Sequence, residues 1–149
     1  MSEQNKIIAI ASDHGGVALK TALKESLEKE GFSVLDLGTN GTESVDYPDF
    51  GYALAEAIKT GKALRGVGIC GSGIGMSIAL NRYPKVRAAL CHDTTSARLA
   101  RQHNDANILV LGERMIGREV AQDCLKIFLT TAFEGGRHQR RVEKLGKCH

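Results

Sequence analysis

Residues 67–78 read Val-Gly-Ile-Cys-Gly-Ser-Gly-Ile-Gly-Met-Ser-Ile, and they give the clearest strand-to-helix signal in the chain. An apolar run of β type ends at Cys70, three glycines follow at alternate positions, and a helix is predicted to begin after them. A glycine turn lets backbone N–H groups converge without side chains in the way, so it can hold an anion or a developing oxyanion. The thiol of Cys70 at the mouth of this turn adds a group that can accept a proton or act as a nucleophile.

Predicted strands and helices alternate along the whole chain. Apolar runs predict strands over Lys6–Ala11, Phe32–Leu37, Gly66–Cys70, Val86–Cys91 and Asn107–Leu111. Helices are predicted over Val17–Glu30, from Pro48 to about Lys59, from the glycine turn to about Asn81, over Thr94–Gln102 and over Gly117–Thr131. Strict alternation with short connections predicts an α/β fold in which helices cover both faces of a parallel sheet. No linker or repeat divides the sequence, so we expect one domain over residues 1–149, with a C-terminal helical tail at about 134–146.

The composition excludes several classes of protein. Hydrophobic residues make up 42% and charged residues 25% of the chain, which is typical of a soluble globular domain. No apolar stretch approaches the ~20 residues that span a bilayer, and the first residues carry no apolar signal core. The four cysteines lack metal-ligand spacing and indicate reduced thiols of the cytoplasm. A net charge of +3 with 5% aromatic residues argues against a nucleic-acid partner.

Polar residues follow several of the predicted strands. In parallel sheets of this kind, ligands bind beyond the carboxyl ends of the strands. This rule places Asp13 and His14, the turn at 70–75, and Cys91–Asp93 on one edge of the sheet. The glycine turn does not match G-x-G-x-x-G, because Met76 stands where the third glycine belongs, and no P-loop motif occurs. We therefore predict an anion site without a dinucleotide cofactor.

Two more groups of residues could take part in chemistry. The imidazole of His103, at the end of a predicted helix, is suited to moving protons near neutral pH. Arg137 and Arg141 stand at i and i+4 of the predicted C-terminal helix, ~5–6 Å apart, where like charges repel unless an anion lies between them. A phosphate would provide that anion through bidentate hydrogen bonds.

Each of these residues also has a purely structural explanation. Asp13 suits a helix N-cap, Cys70 suits a small buried apolar position, and His103 suits the negative end of a helix dipole. The glycines could form only a tight turn, and the C-terminal arginines could lie on a solvated basic helix. Cys91 and Cys124 are interpreted as structural.

Five ordered motifs together resemble the type-B ribose-5-phosphate isomerases. They are Ser-Asp-His-Gly-Gly, Asp-Tyr-Pro, Cys-Gly-Ser-Gly-Ile-Gly-Met-Ser-Ile, Gln-His-Asn-Asp-Ala-Asn and Glu-Gly-Gly-Arg-His-Gln-Arg-Arg-Val. The resemblance runs from Lys6 to about Lys144. It implies a three-layer Rossmann-like fold with a five-stranded parallel sheet, and interconversion of ribose 5-phosphate and ribulose 5-phosphate without metal or organic cofactor. It also implies a homodimer or a tetramer, with the active site shared between subunits.

The resemblance assigns roles to individual residues. Cys70 resembles the base that moves a proton between C2 and C1, and the catalytic set it implies is Cys70, Ser72, His103 and Asp13. Within this set His103 would open the sugar ring, while Ser72 and Asp13 would act at the sugar oxygens. The enediolate would be held by amides of Gly71, Gly73, Ile74 and Gly75. The phosphate would be held by His14, Arg137 and Arg141. Three further positions would line the site: Tyr47, Asn104 and Arg114.

Two other functions are compatible with the sequence. The same family contains isomerases of allose 6-phosphate and galactose 6-phosphate, so a hexose-6-phosphate isomerase is the nearer alternative. The more distant alternative is a non-catalytic module that binds a nucleotide or another anion. The pairing of Cys70 with a glycine turn favours an enzyme over the second alternative.

Overall fold

The computed structural model of the protein describes residues 2–148 and contains a five-stranded sheet. Its strands are β1 (Ile7–Ser12), β2 (Ser33–Asp36), β3 (Arg65–Cys70), β4 (Ala88–Leu90) and β5 (Ile108–Gly112). All neighbouring strands are parallel, and their order across the sheet is β2-β1-β3-β5-β4. The α/β class, the strand number and the parallel sheet are therefore confirmed.

Helices connect the strands, and a further helix closes the described part of the chain. They are α1 (Val17–Lys29), α2 (Tyr47–Lys59), α3 (Ile74–Leu80), α4 (Thr94–Asn104), α5 (Arg118–Thr130) and α6 (Arg137–Leu145). A short 3₁₀ turn, His14–Gly16, precedes α1. Within residues 2–148, no helix is both long and apolar enough to cross a bilayer.

Strand β4 is shorter than the predicted run Val86–Cys91. The backbone N–H of Val86 donates to the carbonyl of Tyr83 in a turn, at 3.0 Å. The N–H of Arg87 donates to the side-chain oxygen of Asn107, at 2.8 Å. The N–H groups of these two residues therefore donate to a turn and a side chain, although the carbonyl of Arg87 still accepts from the N–H of Asn107 at 2.9 Å. Hydrophobic periodicity does not report this detail.

The sheet is buried on both faces. Successive side chains of a strand point to opposite faces, so Ile8 and Ile10 join one apolar cluster while Ala9 and Ala11 join the other. The first cluster contains residues of α1, α4 and α5, and the second contains residues of α2 and α3. This three-layer packing matches the prediction and leaves the strand ends as the accessible parts of the sheet.

The order of the strands creates a crevice between β1 and β3. The chain leaves β1 for β2 on one side of it, and later returns to β3 on the other side. The connections after β1 and β3 therefore diverge, which opens a crevice beyond the carboxyl ends of these two strands. This is the edge at which the sequence placed the polar turns.

A buried lysine fixes the connection that follows β2. Lys20 of α1 is 1% exposed, and its Nζ lies 2.8 Å from both carboxylate oxygens of Asp36. The same Nζ donates to the side-chain oxygen of Asn40 at 2.6 Å. Burial alone would raise the pKa of Asp36. Hydrogen bonds from Lys20, Gly38 and Lys24, together with the positive charge of Lys20, have the larger combined effect and lower the pKa below the ordinary value of 3.8. The carboxylate therefore remains charged inside the fold.

Candidate active site

Three turns converge at the carboxyl edge of the sheet. The N–H of Asp13 donates to the carbonyl of Ile69 at 3.3 Å, which joins the turn after β1 to the end of β3. A Cβ added to Gly15 would lie 3.4 Å from the amide nitrogen of Gly71, so the two turns touch. The N–H of Arg114, beyond β5, donates to the carbonyl of Gly71 at 2.9 Å. Asp13, Gly71 and Arg114 thus come from distant parts of the sequence to one place.

Cys70 is the last residue of β3 and is 5% exposed. Its Sγ accepts a hydrogen bond from the N–H of Gly73 at 3.1 Å, which fixes the direction of the thiol. Gly73 has φ of 79°, and a Cβ there would lie 2.5 Å from Leu90. Both the left-handed backbone and the close approach require glycine at this position.

The cradle, residues 71–75, presents backbone donors beside this sulfur. Among residues 2–148, the amides of Gly71, Ser72 and Gly75 have no hydrogen-bond partner. The amide of Ile74 is occupied, because it donates to Oγ of Ser72 at 3.1 Å. Unpartnered amides that converge in a turn are suited to hold an oxyanion.

Two side chains lie against the cradle. The Tyr47 ring packs on Gly75, where an added Cβ would come within 2.5 Å of a ring carbon. The guanidinium of Arg114 lies over Gly71, with Nε 3.5 Å from an added Cβ. The predicted lining positions Tyr47 and Arg114 are therefore both at this edge.

Asp13 and His14 are oriented by backbone hydrogen bonds. Oδ1 of Asp13 accepts from the N–H of Gly15 at 2.9 Å. One of the two carboxylate oxygens of Asp13 therefore acts as a helix N-cap, as the structural explanation predicts. Nδ1 of His14 accepts from the N–H of Val45 at 3.1 Å. The neutral imidazole therefore carries its proton on Nε2, which can donate to an anion.

The turn at Cys91–Asp93 contributes no reactive thiol. Cys91 is buried, and burial raises its pKa, as burial also raises the pKa of Cys124 to about 11. The Asp93 carboxylate accepts from the N–H of Ser96 at 2.6 Å and caps α4. The structural interpretation of both cysteines agrees with this placement.

A second group of predicted site residues lies at the other end of the molecule. α4 begins beyond the carboxyl end of β4 and must return to the start of β5, which lies level with the start of β4. His103 and Asn104, at the end of α4, therefore lie at the amino edge of the sheet. The 11 residues of α4 separate them by about 16 Å from the carboxyl edge, where the helix begins. α6 packs against α4 and carries the exposed Arg137 and Arg141. Within one chain, this second group does not meet Cys70.

Three features of the two groups were not predicted from the sequence. Oε1 of Glu113 accepts from the N–H of Leu19 at 2.6 Å and so occupies the start of α1. The rings of His103 and His138 stack with centroids 4.4 Å apart and planes at 12°. Glu134 lies beside them, with Oε1 3.7 Å from Nε2 of His138. The i,i+4 spacing of Glu134 and His138 is the sequence signal that could have indicated this contact.

His103, Glu134 and His138 are also the one group among residues 2–148 whose ligand atoms lie close enough to consider for a metal ion, within 4.8 Å of one another. Imidazole lone pairs lie in the ring plane, and the two planes are nearly parallel. The lone pairs therefore run side by side and do not meet at one point, as coordination of one ion requires. The neighbouring Arg137 and Arg141 add positive charge, so we assign no metal to this group.

Comparison with known proteins supports one family across nearly the whole chain. The family model described as Ribose/Galactose Isomerase matches residues 8–145. Ribose-5-phosphate isomerase B of Escherichia coli (strain K12) is 42% identical, over 94% of this chain and 94% of the relative. The solved ribose-5-phosphate isomerase B of Clostridium thermocellum has a TM-score of 0.93 and 52% identity, covering 95% of each chain. The enzyme of Mycoplasma genitalium, solved with bound ribulose-5-phosphate, has a TM-score of 0.91 and 41% identity, covering 95% of this chain and 94% of that one. With the fold and the carboxyl-edge turns in agreement, this chain belongs to the ribose/galactose isomerase family.

Proposed function

We propose that the protein is an aldose–ketose isomerase that interconverts ribose 5-phosphate and ribulose 5-phosphate through an enediolate. The observation that carries the proposal is the position of the Cys70 thiol at the end of β3, beside the unpartnered amides of the cradle. A base next to preorganised oxyanion donors is the arrangement that proton abstraction beside a carbonyl requires. The family match favours an isomerase over the non-catalytic alternative, and the names of the Escherichia coli relative and of the structural relatives favour pentose phosphate over hexose phosphate.

The proton transfer can be written for these residues. In the open-chain aldose the C2–H bond is acidic, because the aldehyde at C1 can take up the negative charge. The Cys70 thiolate removes the C2 proton, a C1–C2 double bond forms, and charge develops on the C1 oxygen. One well-placed donor of the cradle stabilises such charge by about 3–4 kcal/mol. A second proton passes from the C2 hydroxyl to the C1 oxygen, so that the negative charge moves to the C2 oxygen. Delivery of the first proton from Cys70 to C1, as the C2 oxygen forms the carbonyl, completes the ketose.

Ring opening is a separate step that only the aldose needs. Ribose 5-phosphate closes a five-membered ring through its free C4 hydroxyl. In ribulose 5-phosphate the hydroxyl that would close such a ring carries the phosphate, so the ketose stays open. We assign ring opening to His103, with Asp13 and Ser72 at the sugar oxygens, and an imidazole can donate and accept the required protons near neutral pH.

The two groups of site residues would meet in a homodimer. His103 and Cys70 lie at opposite edges of the sheet, so one chain cannot offer both to one sugar. A twofold pair of chains, which could further associate into a tetramer, would set the amino-edge group of one chain against the carboxyl-edge group of the other. The four free cysteines fit a reducing compartment, and we place the enzyme in the cytoplasm.

The phosphate would be held by Arg137, Arg141 and Nε2 of His14. The two arginines have no hydrogen-bond or ion-pair partner among residues 2–148, so their donors are available to an anion. We expect Arg137→Ala and Arg141→Ala each to raise KM for ribose 5-phosphate about 10- to 100-fold, because a charged hydrogen bond contributes about 1.5–3 kcal/mol. Arg140→Ala is the matched control on the same helix and should leave KM unchanged. Steady-state kinetics on the three variants would reject this clamp if all of them kept the original KM.

For His103→Ala we expect a loss that depends on which sugar is supplied. Consumption of ribose 5-phosphate should slow about 100-fold, within the range of general acid–base effects, since the ring must then open unaided. Consumption of ribulose 5-phosphate, which has no ring, should stay within about threefold. NMR of both substrates measures the two rates, and His92→Ala is the control for an exposed histidine. Equal slowing of both substrates would show that His103 acts in another step.

The activity itself is tested with the purified wild-type chain. Ribose 5-phosphate, allose 6-phosphate and galactose 6-phosphate are supplied in parallel, and the ketose formed is measured. We expect kcat/KM to be highest for the pentose. A higher kcat/KM for either hexose would replace the proposed substrate, and no turnover of any of the three would overturn the assignment as an isomerase.

A further inference from the structure

The surroundings of His14 determine which of its two ring nitrogens is free to meet a ligand. Nδ1 accepts a hydrogen bond from the backbone N–H of Val45 at 3.1 Å, whereas Nε2 has no hydrogen-bond partner in the described part of the chain. The side chain is exposed, and χ2 of a histidine is a broad torsion, so the backbone turn alone does not fix the ring. The bond from Val45 therefore selects both the orientation and the tautomer of His14.

The tautomer of His14 matters because a phosphate ester mainly offers acceptor oxygens near neutral pH. A neutral imidazole carries its one proton on a single nitrogen, and the other nitrogen presents a lone pair. With the proton on Nε2 the ring donates to the phosphate, and with the proton on Nδ1 a lone pair would face the anion. A backbone N–H can only donate, so its bond to Nδ1 requires that nitrogen to be unprotonated. The Val45 amide therefore keeps the ring in the donating tautomer.

The amide of Val45 is held in place from the side of α2. Val45 is half-buried and stands two residues before this helix. The first turn of α2 is closed by the N–H of Asp49, which donates to the carbonyl of Asp46 at 3.2 Å. The ring of Tyr47, the first residue of the helix, packs on Gly75 of the cradle. The donor to His14 is thus attached to a helix that is itself anchored at the candidate site.

The stretch of chain before Val45 is anchored at its other end by the buried lysine. Nζ of Lys20 donates to the side-chain oxygen of Asn40 at 2.6 Å. Residues 41–44 are all exposed and, as far as the structure describes the chain, form no hydrogen bond. The exposed stretch between the two anchors therefore meets the turn after β1 through the bond between Val45 and His14.

We propose that Val45 is a positioning residue for substrate binding, whose backbone N–H holds the imidazole of His14 in the tautomer that donates from Nε2 to the phosphate of the sugar. The inference rests on the proposed role of His14 in phosphate binding and adds a group to which no role is assigned above. Val45 acts through His14 and does not touch the substrate. Its side chain is not required, so another residue with a backbone N–H can replace it, whereas proline, which lacks this donor, cannot.

Two substitutions at position 45 separate the backbone donor from the side chain. Val45→Pro removes the N–H, and Val45→Ala keeps it and is the matched control. We expect His14→Ala to raise KM about tenfold, and Val45→Pro to raise it about fivefold, because a ring with mixed tautomers still donates part of the time. The rise should be the same for ribose and ribulose 5-phosphate, which carry the same phosphate. Since Cys70 and the cradle are unchanged, kcat should stay within about twofold of the wild type, and Val45→Ala should keep the wild-type KM.

The tautomer can also be observed directly, by nitrogen-15 NMR of the histidine side chains at a pH at which the rings are neutral. His14→Ala identifies the signals that belong to His14. We expect the wild type to carry the His14 proton on Nε2, and Val45→Pro to show a mixture of both tautomers. We also expect the double variant His14→Ala with Val45→Pro to have the KM of His14→Ala alone, because the amide acts through this ring.

Several results would overturn the inference. A proton on Nδ1 of His14 in the wild type would exclude it, and that measurement does not depend on how any variant folds. Wild-type KM in Val45→Pro, or an equal rise in Val45→Ala, would exclude the backbone donor. A further rise in KM when Val45→Pro is added to His14→Ala, or a large fall in kcat, would show a general disturbance of the chain before α2.

His14→Ala separates this inference from the proposed function. If His14→Ala keeps the wild-type KM, the proposed role of His14 in phosphate binding fails, and the inference fails with it. If His14→Ala raises KM and the wild-type tautomer or the Val45→Pro result contradicts the expectation, only the inference fails.

Discussion

We expect Cys70→Ser to lower kcat about 10³-fold in both directions of the reaction while leaving KM nearly unchanged. A positioned base contributes about 10²–10⁴-fold, and a serine hydroxyl at the same place ionises far less readily than a thiol, so almost none of the basic form is present near neutral pH. The free amides of the cradle and the phosphate-binding residues are untouched by this change, so substrate should still bind. The loss should be equal for ribose and ribulose 5-phosphate, in contrast to the loss in His103→Ala, because both directions pass through the same proton transfer.

The control for this prediction is another cysteine of the same chain. Cys148 is exposed and lies far along the sequence from the cradle, so Cys148→Ser should keep the wild-type kcat. Cys70→Ala should match Cys70→Ser, since neither provides a thiol, and thermal unfolding would show that both variants are folded. A Cys70→Ser enzyme with the kcat of the wild type would exclude Cys70 as the base.

The largest effect on stability is expected at the buried lysine of α1. We expect Lys20→Met to lower the free energy of unfolding by about 3 kcal/mol at pH 7, because Asp36 is then left charged in the fold without its main partner. Urea unfolding followed by circular dichroism measures the change. Lys24 reaches the same carboxylate at 3.4 Å but is 36% exposed, so Lys24→Met should cost less than about 1 kcal/mol. Similar losses in the two variants would show that burial of the ion pair is unimportant.

The same pair gives a pH dependence with a defined sign. The pKa of Asp36 is lower in the folded chain than the ordinary value of 3.8. Its contribution to stability is therefore present above pH 3.8 and is lost as the pH falls through the folded pKa. The difference in unfolding free energy between wild type and Lys20→Met should be largest near pH 7 and should narrow below pH 4. A constant difference across this range would contradict the prediction.

The fold was predictable because its signals are local. Apolar runs predicted every strand of the sheet, and helix periodicity predicted the helices that connect the strands. The alternation of strands and helices alone implied that neighbouring strands pair in parallel. The ends of the elements were less accurate, as the shorter β4 shows. The Lys20–Asp36 contact could not be predicted, since it depends on how a helix and the next strand pack, and nothing in the spacing of the two residues indicates it.

The candidate site was predictable only in part. The rule for carboxyl edges located the turns that carry Asp13 and Cys70, because that rule depends on topology alone. The sequence itself indicated His103 and Arg137 as candidates, but only the family resemblance assigned them to the same site as Cys70, and periodicity could not show that they lie at the opposite edge from it. The stack on His103 required the three-dimensional path of the Gly135–Gly136 turn. Contacts between residues that lie far apart along the chain could not be predicted from the periodicity of a single sequence.

The length of α4 has a genetic consequence under the proposed dimer. Since each chain would give its thiol to one catalytic centre and its imidazole to the other, no centre would be encoded by a single polypeptide. A cell that carries one copy lacking the Cys70 thiol and another lacking the His103 imidazole would still assemble mixed pairs with one intact centre. Two alleles that are each inactive alone could therefore complement one another.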